Sequence, residues 1–193
     1  MPPSSTRDQI IQQADTLFYQ SGFNATSFAD IAAAVGISRG NFYHHFRSKD
    51  DILDAVITRR IAATRAMLDG WQAAVGTPQA RILCFIRLLM ENRGQIMAHG
   101  CPVGTMTAEL AKIEHAAQAR AAAIFGLFRD WLTTQFQALG AGDAAQSRAM
   151  HLLVWSQGVA IMASAFRDET FIRREVAGIE TWLAGLPEIA SVS

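Results

Sequence analysis

The stretch from Phe23 to Leu53 constrains this chain most: two short helical patterns are separated by a three-residue turn that begins with a glycine and followed at once by a third. Phe28, Ile31, Ala32 and Val35 fall on one face of a helical period. Thr26 and Ser27 stand before them, where either hydroxyl can cap the first free N–H groups. Asp30 lies in the first turn, where a negative charge suits the helix dipole. Gly36 suits the left-handed residue that closes a helix. Ile37 then plugs the turn, and Ser38 caps a second helix from about Arg39 to Phe46, with Phe42 and Phe46 expected inward against Phe28 and Ile31. Two short helices joined by a few residues containing glycine form the helix-turn-helix pattern.

In such units the first turns of the second helix enter the major groove of DNA. Gly40, without a side chain, lets that helix end lie close to a phosphate backbone, while Arg39, Asn41, Tyr43 and His44 project from it. Arg suits guanine edges and Asn suits adenine edges. Tyr43, His44 and Lys49 suit phosphates, contacts that position more than they specify. Charge around the unit is modest: from Met1 to Lys49 there are four basic residues (Arg7, Arg39, Arg47, Lys49) and three acidic ones (Asp8, Asp15, Asp30).

The run Ile31-Ala32, Gly36-Ile37-Ser38, Gly40, Phe42-Tyr43-His44-His45-Phe46 and Ser48-Lys49-Asp50 resembles the TetR family of transcriptional regulators over about residues 6–60. The rest of the chain resembles that family in length and helical character. The resemblance implies an all-α fold of about nine helices: an N-terminal three-helix helix-turn-helix DNA-binding domain over 1–48, and a C-terminal helical ligand-binding and dimerisation domain over 49–193. It implies Thr26, Ser38, Arg39, Gly40, Asn41, Tyr43, His44 and Lys49 as DNA contacts, and Ser27 is counted with them. The function it implies is that of a homodimeric repressor of a palindromic double-stranded operator, released by a small-molecule effector. An activator would use the same reader.

Half of the residues are hydrophobic, and no period-2 strand pattern stands out. Five prolines, three of them near the ends, leave long helices uninterrupted. The formal net charge is zero, so charge alone does not announce nucleic acid. The first fifteen residues lack a basic start followed by an apolar core, and no apolar run is expected to reach bilayer length. Two cysteines outside any disulfide framework fit a reducing cytoplasm, and without a bilayer-length run no membrane partner is expected. No cofactor or metal pattern is evident, and the first five and last few residues read as frayed ends.

Helix 1 is expected from about Thr6 to Gln20, with Ile10, Ala14, Leu17 and Phe18 inward. A fourth helix begins near Lys49 under a Ser48 cap and runs toward Trp71, and Gly76-Thr77-Pro78 starts a fifth that continues to about His99. Gly100-Cys101-Pro102-Val103-Gly104 breaks it, and helix resumes from Thr105 through Phe136 in one or two pieces. After Gly140-Ala141-Gly142, Asp143 is expected to cap a helix to about Phe166, and a last helix runs from about Glu169 to Leu186.

In that last helix Ile172, Val176, Ile179 and Leu183 step by four, three and four residues. With Met150, Val154 and Ile161 of the preceding helix they form either a dimer seam or ordinary core. Phe85, Leu89, Met106, Phe125, Phe128 and Trp155 are candidates to line an effector cavity, or simply fill the core. Cys101, before a helix N-terminus that favours a thiolate, reads either as an electrophile or oxidant sensor or as part of a turn; Cys84 is expected to be buried. His99, Cys101, Glu109 and His115 match no recognised metal or nucleophile spacing. A Cys-dependent helical enzyme and a helical adaptor without DNA binding are therefore the weaker alternatives, and no catalytic residue is assigned.

Overall fold

The computed structural model describes residues 5–186, without the side chain of Arg39. The ends expected to fray fall, apart from Ser5, outside the described residues. The elements are α1 (Thr6–Ser21), α2 (Phe28–Val35), α3 (Arg39–His45), α4 (Lys49–Ala74), α5 (Pro78–Glu91), α6 (Arg93–His99), α7 (Pro102–Lys112), α8 (Gln118–Ala138), a 3-10 turn (Gly142–Ala144), α9 (Ala145–Phe166) and α10 (Glu169–Ala184). No strand occurs among the described residues. The all-α fold is as expected.

Two compact units divide the chain: residues up to 63 with 102–123, and residues 64–101 with those from 124 on. The division is not at the expected boundary between residues 48 and 49. The first unit closes itself with residues from further along the chain. Ile52, Leu53, Val56 and Ile57 of α4 are fully buried in one cluster with Ile10, Ala14, Phe18, Ile31, Phe42 and Phe46, and Met106, Leu110, Ala117 and Ala121 complete it. Here α1 packs on both α2 and α7.

In the second unit, α5, α6, α9 and α10 pack on one another. Its core gathers Ile82, Phe85, Ile86 and Leu89 of α5, Leu132 and Phe136 of α8, and Leu152, Leu153, Val159 and Ala163 of α9. Ile172, Val176, Ile179 and Leu183 of α10 join them.

Several element boundaries differ from expectation, each for a local reason. The helix from Pro78 is interrupted at Asn92 (φ −102°, ψ 12°), whose side-chain amide donates to the Leu88 carbonyl at 2.9 Å. The Asn92 backbone N–H donates to the same carbonyl at 3.0 Å, so Leu88 closes the first helix with both bonds. The Gly100–Gly104 break shrinks to Gly100 and Cys101, because Pro102 serves as a first helical residue. The following helix ends at Lys112, and Glu114 turns the chain with φ 51° while the His115 N–H donates back to the Leu110 carbonyl at 2.9 Å. Asp143 does not cap α9, which enters from the 3-10 turn without a side-chain cap. Against the expectation of no membrane-length apolar run, Gly142–Phe166 is long and apolar enough to cross a bilayer by length and composition. Ala and Leu on its inner side pack in the core, and its outer side is apolar as well.

Candidate nucleic-acid interface

Two short helices cannot hold themselves, so caps at their ends decide their geometry. For α2 the cap is Ser27, not Thr26. The Ser27 hydroxyl accepts from the Asp30 N–H at 3.2 Å, and the Ser27 N–H donates to the Asp30 carboxylate at 2.8 Å, a reciprocal capping box. The Ser27 hydroxyl also donates to that carboxylate at 2.7 Å, and chiefly for this reason the Asp30 carboxyl is held below its ordinary value. Gly36 closes α2 in the left-handed region (φ 74°, ψ 31°). The Ser38 hydroxyl then accepts from the Asn41 N–H at 3.3 Å and starts α3. Phe42 and Phe46 are buried as expected, and the Phe28 ring meets Phe42 edge-on at 5.2 Å.

With Phe42 turned in, the opposite face of α3 lies in solvent. Gly40, Asn41 and His44 are exposed, and Tyr43 is 56% exposed with its ring 5.8 Å from that of Phe28. Nothing lies within 4 Å of a Cβ built on Gly40. Ser27 and Ser38 are exposed at the two helix starts. The side chain of Arg39, which heads α3, lies outside the described residues.

Two residues read as DNA contacts are placed otherwise. Thr26 is only 3% exposed, and its hydroxyl donates to the Gly22 carbonyl at 2.7 Å, so it shapes the turn before α2. The Lys49 ammonium donates to the carbonyls of Phe23 (2.9 Å), Thr26 (3.1 Å) and Asn24 (3.4 Å), and lies 4.3 Å from the centre of the Phe23 ring. An ammonium has three N–H donors, and those of Lys49 are directed to the protein's own backbone.

The N–H groups of the same turn meet a residue that the sequence does not single out for this role. Glu109 of α7 accepts from the Phe23 N–H at 2.9 Å and the Asn24 N–H at 2.8 Å. A Cβ at Gly22, whose φ is +90°, would stand 3.0 Å from a Glu109 oxygen. Lys49 thus holds the carbonyls of the α1–α2 turn and Glu109 its amides. Arg60 adds a bond to Asp15 of α1 and another to the Pro102 carbonyl, both at 2.6 Å, and Arg120 of α8 binds Asp54 at 2.6 Å and Thr58 at 2.9 Å. His115 faces Asp50 at 3.4 Å, its ring edge-on to Phe23. These partners lie 23 to 92 residues apart, and no local pattern announces them.

In the second unit, all the proposed sensor residues but Met106 belong to one cluster. Phe85 and Leu89 are buried in it, Phe125, Phe128, Trp155 and Cys101 are partly buried and pack against that cluster, and the Phe85 and Phe128 rings are 5.4 Å apart. Met106 is instead buried in the core of the first unit, because α7 packs on α1. Cys84 is half-buried, not buried, its thiol 3.5 Å from the Ala80 carbonyl; neither cysteine is in a disulfide. No group of three or more metal-ligating side chains occurs among the described residues.

The expected seam separates by helix. Met150 (43%), Val154 (64%) and Ile161 (61%) of α9 are exposed, and Met162 and Phe166 extend the same apolar surface. Ile172, Val176, Ile179 and Leu183 are turned into the core of their own unit, so the heptad-like stripe of α10 is intramolecular packing.

Residues 10–56 match the family described as bacterial regulatory proteins, tetR family, and residues 61–177 match the LmrA/YxaF-like transcriptional regulator C-terminal domain. The HTH-type transcriptional repressor KstR2 of Mycolicibacterium smegmatis is 44% identical over 55 residues, covering 28% of this chain and 27% of that protein. The HTH-type transcriptional repressor NemR of Escherichia coli K12 is 28% identical over 106 residues, covering 54% of this chain and 52% of its own. The chain thus spans about a quarter to a half of these curated relatives. A crystal structure of a TetR transcriptional regulator from Legionella pneumophila has a TM-score of 0.84 and 25% identity, covering 94% of this chain and 99% of that one.

Proposed function

This chain belongs to the TetR family of bacterial transcriptional regulators, with a C-terminal part of the LmrA/YxaF-like type, and from that premise we propose that it is a homodimeric repressor of a palindromic operator. The observation that carries the reading is the outer face of α3. Two capped helices hold Asn41, Tyr43 and His44 in solvent, on a helix whose other face is locked by Phe42. Asn41 is assigned to a base edge and Tyr43 and His44 to phosphates. Arg39 is assigned to a base edge on the sequence pattern alone.

The exposed apolar face of α9 supports a second copy as its partner. Val154, Ile161 and Phe166 form a surface that a monomer rarely leaves open. A twofold axis then presents two α3 helices to two half-sites. The cluster around Phe85, Leu89, Phe125, Phe128 and Trp155 is assigned to a small apolar effector, with Cys101 beside it as an alternative point of control by thiol-reactive electrophiles. Occupancy acts on the reader through α4 and α8, each of which contributes residues to both units. An effector shifts operator binding only by its difference in affinity for the two states.

The family is one of regulators, and no catalytic role is assigned. The deciding experiment measures binding of the purified protein to DNA flanking its own gene, at fixed salt, with and without a thiol-reactive electrophile. Binding that is lost on treatment and retained in Cys101→Ser makes Cys101 the switch. Binding indifferent to the electrophile leaves a repressor whose effector is to be sought by screening. Absence of binding overturns the reading.

A further inference from the structure

Phosphate neutralisation supplies most of the affinity of a DNA reader, and it requires cations that are free to leave water for phosphate. Lys49 does not meet that requirement here: its ammonium is bound to three backbone carbonyls and an aromatic face. The C-terminal end of α3 is where the deficit matters most. Its N-terminal end offers N–H groups to an anion, whereas its C-terminal end carries the negative pole of the helix and repels one.

Two guanidinium groups stand at that end. Arg7, from the first turn of α1, lies over the ring of Phe46, the residue that closes α3, at 4.9 Å. Stacking engages the face of a guanidinium and leaves its edge donors available, a mode that a lysine does not reproduce. Arg47 follows Phe46 directly and is exposed, and its backbone N–H is tied to the Asp51 carboxylate at 3.2 Å, which fixes where its side chain departs. Among the described residues neither side chain has a hydrogen bond or an ion pair within 4 Å. Of the acids nearby, Asp51 caps α4 through the Ser48 N–H at 3.0 Å and Asp50 faces His115, while Asp8 accepts from the Ser5 hydroxyl at 2.7 Å, the larger influence on its carboxyl, with the Arg7 charge a smaller one.

We infer that Arg7 and Arg47 are the phosphate-binding residues that flank the recognition helix, and that the charge of Lys49 is structural. The assignment rests on the DNA-binding reading above and deepens it. It gives α1 a direct part in holding DNA, with the Phe46 ring as the platform that orients Arg7.

The test uses the full-length protein and a fluorescein-labelled duplex of mixed sequence, with affinity followed against salt. Each phosphate contact contributes about 0.9 to the slope of log K against log salt. Arg7→Ala and Arg47→Ala are each expected to flatten the slope by about that amount per subunit, and to weaken binding alike for all sequences. Lys49→Met is expected to keep the wild-type slope while lowering the melting temperature. Arg7→Lys separates charge from stacking: it is expected to keep the wild-type slope, which counts charge, and to bind less tightly at every salt concentration, because the Phe46 ring does not orient an ammonium in the same way. A wild-type slope in either alanine variant overturns that residue's assignment, and a flattened slope in Lys49→Met overturns the structural role of Lys49. Wild-type protein that binds no duplex overturns the DNA-binding reading and this assignment with it.

Discussion

Lys49 sits next to a serine cap at the start of α4, beside an exposed recognition helix, and its sequence position suits a phosphate contact. In the structure its ammonium is directed to three backbone carbonyls and the Phe23 ring, and that placement has a measurable consequence. Hydrogen bonds to a charged group contribute about 1.5–3 kcal/mol each when one partner is removed. Lys49→Met keeps the stem and removes all three bonds, and is expected to lower stability by about 3 kcal/mol or more, read as a shift in the chemical denaturation midpoint. Asn41 shows the opposite case. It is exposed and carries its backbone N–H, not its side chain, in the cap of α3. Asn41→Ala is therefore expected to leave the melting temperature unchanged and to reduce discrimination at one base pair by about 1–3 kcal/mol, measured by competition between operator variants. Unchanged discrimination would remove Asn41 from the interface. Both residue types were legible as DNA-facing in the sequence. Only the three carbonyls around the ammonium separate them.

At the scale of elements, α2 is held by a capping box at one end and by the clamped α1–α2 turn before it. Asp30 titrates below its ordinary value in the folded state, chiefly through the Ser27 hydroxyl. A carboxyl of this kind lends stability that is present above its unfolded pKa and is lost as pH falls through the folded one. Ser27→Ala is accordingly expected to lower the melting temperature at neutral pH, with the difference from wild type narrowing below about pH 4. A difference that stayed constant down to that range would show that the box does not act through the carboxylate. The turn itself depends on α7. Gly22→Ala meets both a positive φ and the Glu109 carboxylate, so it is expected to destabilise by about 1–3 kcal/mol. Glu109→Ala is expected to speed hydrogen exchange at the Phe23 and Asn24 amides, which lose their acceptor. Unaltered exchange at those two amides would mean that water or another acceptor replaces Glu109.

Across the whole molecule, the two apolar stripes on α9 and α10 look alike in sequence and behave differently. Val154→Glu places a charge on an exposed face, and is expected to give a folded monomer by analytical ultracentrifugation. Ile179→Glu places it in the core, and is expected to cost about 4 kcal/mol or more and to unfold the chain. A dimeric Val154→Glu protein would rule out the α9 face as the seam. The sequence alone determined what short-range physics controls: the helical class, the glycine turn at Gly36, the caps at Ser38 and Ser48, the helix start at Pro78, and the inward face of Phe42 and Phe46. Each of these depends on residues within a turn or two of one another, where spacing and hydrogen-bonding chemistry leave few choices. The tertiary structure decided what distant partners control. Lys49 and Thr26 turned to the backbone, Glu109 reached the reader, Met106 joined the first unit, and the α10 stripe became core. In each case the apolar pattern or the charge was legible, but its partner was set by chain closure over tens of residues, which no local period encodes.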